Sequence, residues 1–138
     1  MARFKDASDV VDELMGQSSA VEDWGDCGVL YTHQNHPGVL YRIGEDVGYT
    51  RRLILDYVMS VDRYQGNASR FMQYLCELAD EHFLQIDLQA AAFSTHDALY
   101  GESLDQGDLV AWYESFDFAE EVNEEQGRGY WMRRNPQQ

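Results

Sequence analysis

Val58-Met59-Ser60-Val61-Asp62-Arg63-Tyr64-Gln65-Gly66-Asn67-Ala68-Ser69-Arg70 decides how this chain folds. Ahead of it, Leu53-Ile54-Leu55, continuing through Tyr57 and Val58, reads as a buried strand. Behind it, Phe71, Met72, Leu75, Leu78 and Ala79 recur at helical spacing. The middle is therefore a strand-to-helix turn. Gly66 permits a tight backbone and the close approach of a ligand, and Ala68 is too small to obstruct one. Ser69 can cap the helix, whose first N–H groups face the turn. The partial positive charge at that helix start, with Arg63 and Arg70 beside it, suits phosphate or pyrophosphate. A glycine in a turn before a helix is also ordinary where nothing binds.

Outward from the turn, the pattern stays legible. Upstream, Gly28–His33 and Gly38–Ile43 are β-prone, and Gln34-Asn35-His36-Pro37 between them signals a hairpin turn. A second turn, Gly44–Gly48, leads into a long strand at Arg51–Val61, which completes a three-stranded antiparallel meander. Further upstream, Asp6 or Ser8 can cap a helix carrying Val10, Val11, Leu14 and Met15 that stops at Gly16. Phe4 can end a short first strand, and Gln17–Gly25 reads as loop around Trp24. Downstream, the helix spans about Ser69 to His82. The alternating Phe83–Leu88 follows, and it is expected to return parallel to the strand before the helix. Ala90–Gln106 is loop-rich. Asp105 or Asp108 caps a short helix at Leu109–Glu114, and Phe118–Val122 and Gly129–Arg133 are closing strands.

The chain has 138 residues, which suits one domain over residues 1–138. No apolar run approaches the roughly 20 residues needed to span a bilayer. The N-terminus, Met1–Asp6, lacks the apolar segment of a secretion signal. A cytoplasmic protein that avoids membranes is expected. Cys27 and Cys76 form neither a disulfide framework nor a zinc site and read as buried thiols. The net charge of −15, from 25 acidic against 10 basic residues, repels nucleic acid. It serves solubility, or it draws a basic protein surface.

The spacing Arg63-x-x-Gly66-x-Ala68, between a strand and a helix, resembles the acyl-CoA pyrophosphate motif of the GCN5-related N-acetyltransferases (GNAT superfamily). Two later stretches are similar to that family as well. Leu109–Phe118, with Ala111, Trp112, Tyr113 and Glu114, resembles its last helix, and Tyr130-Trp131-Met132-Arg133-Arg134 resembles its closing strand. The likeness runs from about Leu53 to Arg134. It implies an α+β fold: a mixed central sheet, antiparallel on its N-terminal side, with a splayed parallel pair of strands and flanking helices. Three departures stand out. Asp117 replaces the glycine before Phe118, which would alter the exit from the last helix. Gln106 replaces an asparagine that touches the pantetheine arm. Arg52 and Ile54 occupy the usual places of a general base.

The resemblance implies acetyl-CoA as co-substrate. The turn residues Arg63, Gln65, Gly66, Asn67, Ala68, Ser69 and Arg70 would hold its pyrophosphate. The backbone around Val58 to Ser60, with Gln106, would take its pantetheine arm. Tyr113 would be the acid that protonates the departing thiolate, since a phenol near about 10 holds its proton where a thiol near about 8.5 has begun to lose it. Asp56, the nearest carboxylate on the central strand, is the candidate base, unless it merely pairs with Arg51 or Arg52. The histidines His33, His36, His82 and His96 lack metal spacing and read as surface residues. The function implied is N-acetyl transfer to a primary amine of a small molecule or protein. The run Glu120–Glu125 could recruit a cationic acceptor. The alternative is a catalytically idle member of the fold, an acidic protein that binds and inhibits a partner, of the kind that would suit a bacteriophage or mobile element acting on a host enzyme. A homodimer is compatible with either reading.

Overall fold

The computed structural model describes residues 5–21, 29–46, 48–60, 67–90, 106–121 and 130–137. In chain order the elements are α1 (Ala7–Gly16), β1 (Ser18–Val21), β2 (Leu30–His33), β3 (Val39–Asp46), β4 (Tyr49–Ser60), α2 (Asn67–Glu81), β5 (Gln85–Ala90), α3 (Gln106–Glu114), β6 (Ala119–Glu121) and β7 (Tyr130–Arg134). They build a seven-stranded sheet in the order β1-β2-β3-β4-β5-β7-β6. The only parallel neighbours among the pairs described are β4 and β5, on either side of α2. The fold is thus the α+β arrangement expected, with a mixed sheet and flanking helices.

Alternation along the strands defines two faces. Tyr41 and Ile43 of β3, Leu53 and Leu55 of β4, Ile86 and Leu88 of β5 and Met132 of β7 face one side. There they join Val10 and Leu14 of α1, Phe71, Met72 and Leu75 of α2, and Val110 and Tyr113 of α3 in one core. All three helices therefore cover the same face. The other face carries Arg52, Asp87 and Arg133, where Arg133 forks onto Asp87 at 3.0 and 3.1 Å and Arg52 stands 3.6 Å away.

Local chemistry explains the ends of the helices. Asp6, not Ser8, caps α1, and with Asp9 it forms a reciprocal capping box. Both α2 and α3 close with Schellman turns. At the end of α2, Leu84 N–H donates to the Ala79 carbonyl and Phe83 N–H to that of Asp80. At the end of α3, Phe118 N–H donates to Tyr113 and Asp117 N–H to Glu114. Each motif needs a left-handed residue, and neither has glycine: Phe83 takes φ +56° and Asp117 φ +71°. The exit from α3 is therefore not altered by the missing glycine, because Asp117 itself adopts the glycine conformation.

Several boundaries depart from the pattern, among them the start of β5, which lies at Gln85 and not at Phe83 because Phe83 is taken up in the turn that ends α2. Ser18–Val21, expected as loop, is a strand through pairing with Leu30–His33, a tertiary cause that its own residues do not signal. Gly44 does not turn; β3 continues to Asp46, which faces Tyr49 across a tight turn with Gly48 at φ +92°. The α2 helix begins at Asn67, ahead of Ser69. The α3 helix begins at Gln106, ahead of Leu109. The strand expected at Phe4, Trp24, Cys27, His96 and most of Glu120–Glu125 lie outside the described residues.

Candidate functional site

The site is organised by a defect in β4. Arg42 of β3 faces Tyr57, but Ile43 faces Leu55, so Asp56 is an extra residue, a β-bulge. A bulge bends its strand and increases the local twist. On the other side of β4 the parallel ladder runs from Arg52↔Gln85 to Leu55↔Leu88 and stops there. Beyond that point Gln89 and Ala90 of β5 pair with β7 alone. Meanwhile β4 stays paired with β3 as far as Val39↔Ser60. The two parallel strands thus part at the bulge. From Asp56 to Ser60, β4 has no strand partner on its β5 side among the described residues.

The gap beside this edge is the candidate cleft, and its far end lies where Val39 pairs with Ser60. The β2–β3 turn reaches the same place: a Cβ on Gly38, which has φ +91°, would lie 3.2 Å from the Asn67 amide nitrogen. Asn67 also accepts a hydrogen bond from Arg70. Ser69, in the first turn of α2, accepts one from the Trp112 indole of α3 at 3.0 Å. Asn67, Ala68, Ser69 and Arg70 are thus brought together at the mouth of the cleft. Val58 lies on its β4 wall with the side chain turned into the core. Ser60 ends β4 and Gln106 opens α3. Arg63, Gln65 and Gly66 lie outside the described residues.

Tyr113 follows Trp112 on α3. It is only 6% exposed, packed against Trp112 and Phe118. Among the described residues no group hydrogen-bonds its hydroxyl. Burial pushes its pKa well above the ordinary phenol value. The proton is therefore held firmly, and its transfer to a thiolate is harder than the ordinary phenol value suggests.

Asp56 is paired, but not as expected. Its partner is Arg42, at 3.6 Å. Arg51 instead donates to the Lys5 and His82 carbonyls, and Arg52 reaches Asp46 at 3.0 Å. Strand geometry explains this. Arg52 lies four residues, about 13 Å, back along β4, whereas Arg42 faces Tyr57 directly across the ladder and covers its ring at 4.6 Å. Burial raises the pKa of Asp56, and the charge and hydrogen bond of Arg42 partly offset this. The result is a partly solvated carboxylate of increased basicity, at the point where the strands part.

One residue read as surface is not. His33 is 1% exposed. Its Nδ1 accepts from the Asn35 N–H at 3.1 Å, so Nε2 carries the proton and donates to Gln17 at 2.8 Å. His36 lies against Phe71 and Tyr74. Both imidazoles have lowered pKa values. Desolvation is the larger cause for each, followed by His36 for His33 and by Arg70 for His36. The alternation of β2 placed His33 on the core face, but only the tertiary contact with Gln17 makes that position habitable. Cys76 is buried as expected, and its thiol is pushed up to about 11, chiefly by desolvation. Among the described residues no His/Cys/Asp/Glu group could hold a metal ion, and no helix is long and apolar enough to cross a membrane.

No family model and no curated protein matches the chain. Among solved structures it is similar to the anti-CRISPR protein AcrVA5, with 27% identity, a TM-score of 0.48, and coverage of 84% of this chain and 96% of that one.

Proposed function

We propose that the protein is an acetyl-CoA-dependent N-acetyltransferase that acts on a primary amine. The observation that carries this reading is the parting of β4 from β5 at the Asp56 bulge. Backbone N–H and C=O groups on an unpartnered strand edge call for hydrogen-bond partners. An extended ligand bearing amides can supply them, as an added strand does. The pantetheine arm has this chemistry. The resemblance of Arg63-x-x-Gly66-x-Ala68 to the pyrophosphate motif supports the same reading. Asp56 then removes a proton from the ammonium of the acceptor, directly or through water. The free amine attacks the thioester carbonyl, the C–S bond breaks, the thiolate leaves with a proton from Tyr113, and the acylated nitrogen sheds its extra proton through water to restore the Tyr113 phenol.

A second reading is favoured by Tyr113 itself. A buried phenol with a raised pKa and no hydrogen-bond partner among the described residues suits an idle fold that binds a basic partner through its net charge of −15.

Calorimetric titration with acetyl-CoA tests the first reading, and release of free thiol with a panel of primary amines tests turnover. Binding in the range of roughly 1 µM to 1 mM is expected, as for an enzyme's substrate. Absence of heat at millimolar acetyl-CoA overturns the proposal. Binding without amine-dependent thiol release supports the second reading.

A further inference from the structure

We infer that Trp112 is a positioning residue for the coenzyme, one that fixes the Ser69 hydroxyl as a hydrogen-bond donor at the mouth of the cleft. This inference rests on the proposed function. Its basis is the 3.0 Å bond from the indole N–H of Trp112 to Ser69 Oγ. An indole N–H can only donate, so it occupies an acceptor position on the hydroxyl and leaves the hydroxyl's own proton to be given elsewhere. Ser69 lies in the first turn of α2, where backbone N–H groups have no partner within the helix. Its hydroxyl therefore joins a set of donors, and the ligand class that suits such a set is a phosphate ester.

The same bond spans the two sides of the cleft. Ser69 belongs to the helix that follows β4, and Trp112 to the helix that follows β5, the two strands that part. Trp112 itself is held by Phe116, edge to face at 5.3 Å, and by Tyr113 at 5.0 Å. The Ser115 hydroxyl also donates to its carbonyl. It is thus anchored in α3 and reaches across to α2. The indole bond exists without the ligand, so losing it should weaken coenzyme capture far more than the chemical step.

The test uses Trp112→Phe, which retains an aromatic ring but has no N–H, and Ser69→Ala, singly and together, in the full chain. The readouts are acetyl-CoA affinity by calorimetry, KM and kcat by thiol release, and thermal unfolding. The inference expects Trp112→Phe to weaken acetyl-CoA binding about fivefold to tenfold, the scale of one hydrogen bond. It expects the KM to rise in step, kcat to change less than about twofold, and the Trp112→Phe effect to vanish in the Ser69→Ala background. Unchanged affinity in a folded Trp112→Phe protein overturns the inference while leaving the enzyme reading intact. So does an equal effect with and without Ser69. If the unsubstituted chain binds no acetyl-CoA, both fall. A Trp112→Phe chain too unstable to titrate is replaced by Ser69→Ala and Ser69→Cys: equal affinity of Ser69→Ala and the unsubstituted chain overturns the inference, and partial recovery by Ser69→Cys supports it.

Discussion

Tyr113 and Asp117 sit four residues apart and are linked by one turn, yet they answer different questions. Tyr113 tests the chemistry. If it is the acid for the departing thiolate, Tyr113→Phe lowers kcat by about 100-fold, the low end for acid catalysis, and leaves acetyl-CoA affinity within about twofold. Stopped thiol-release assays with saturating amine read this directly. Asp117 tests the backbone. Its φ of +71° places a Cβ where an L-residue pays about 1–2 kcal/mol, whereas glycine costs about 0.4–1 kcal/mol through a freer unfolded chain. Asp117→Gly should therefore stabilise the protein by up to about 1 kcal/mol, seen as a higher urea midpoint at unchanged slope. The sequence marks Asp117 as the odd member of its motif. It does not reveal that aspartate, which tolerates the left-handed region better than most residues, reproduces the turn.

Among the elements, the end of the sheet shows what a sequence conveys and what it hides. The periodicities of Phe71–Ala79 and Leu53–Val58 are local properties, so α2 and β4 are plain in the residues. The bulge is not, because it is a mismatch between two strands, and neither strand records its partner's register. The same holds for Ser18–Val21, and for the bond between Ser69 and Trp112, 43 residues apart. At the closing strand, the adjacent Arg133 and Arg134 look alike in sequence but serve opposite faces. Arg133 binds Asp87 on the outer face. Arg134 is buried with the core, forks onto Asp80 of α2 at 2.6 and 2.9 Å, and donates to the Phe116 carbonyl at the end of α3 at 2.8 Å. It thereby joins the last strand to the ends of two helices. Desolvation, the largest single effect, raises the pKa of Asp80, but the Arg134 fork, the Gln137 N–H and the charge of Arg134 together bring it below the ordinary value, and without Arg134 it would be left as a half-buried charge. Arg134→Met should cost about 3 kcal/mol, the low end for breaking a buried pair. Arg133→Met, whose side chain is 31% exposed, should cost less. Equilibrium urea unfolding of the two variants checks the ranking.

For the whole molecule, acidity and stability are linked through the pair of imidazoles behind the β2–β3 turn. His33 and His36 both have folded pKa values below 6.5. As the pH falls through 6.5, the unfolded chain binds protons that the folded one refuses, and stability declines. Above that value the two contribute no slope. Urea unfolding between pH 7.5 and 5.5 should show this decline, at up to about 1.4 kcal/mol per pH unit for each imidazole. His33→Gln should flatten the curve, because its side chain is never charged. Protonated His33 would also lose the Nδ1 lone pair that anchors Asn35, so loosening should begin at the turn beside Asn67. The two outermost strands carry a separate consequence. Ser18–Val21 and Ala119–Glu121 are four and three residues long. Borders this short offer another chain few rungs on which to zip. Two copies, or a copy and its target, would have to meet broadside, and fibrils seeded from these margins should be hard to start.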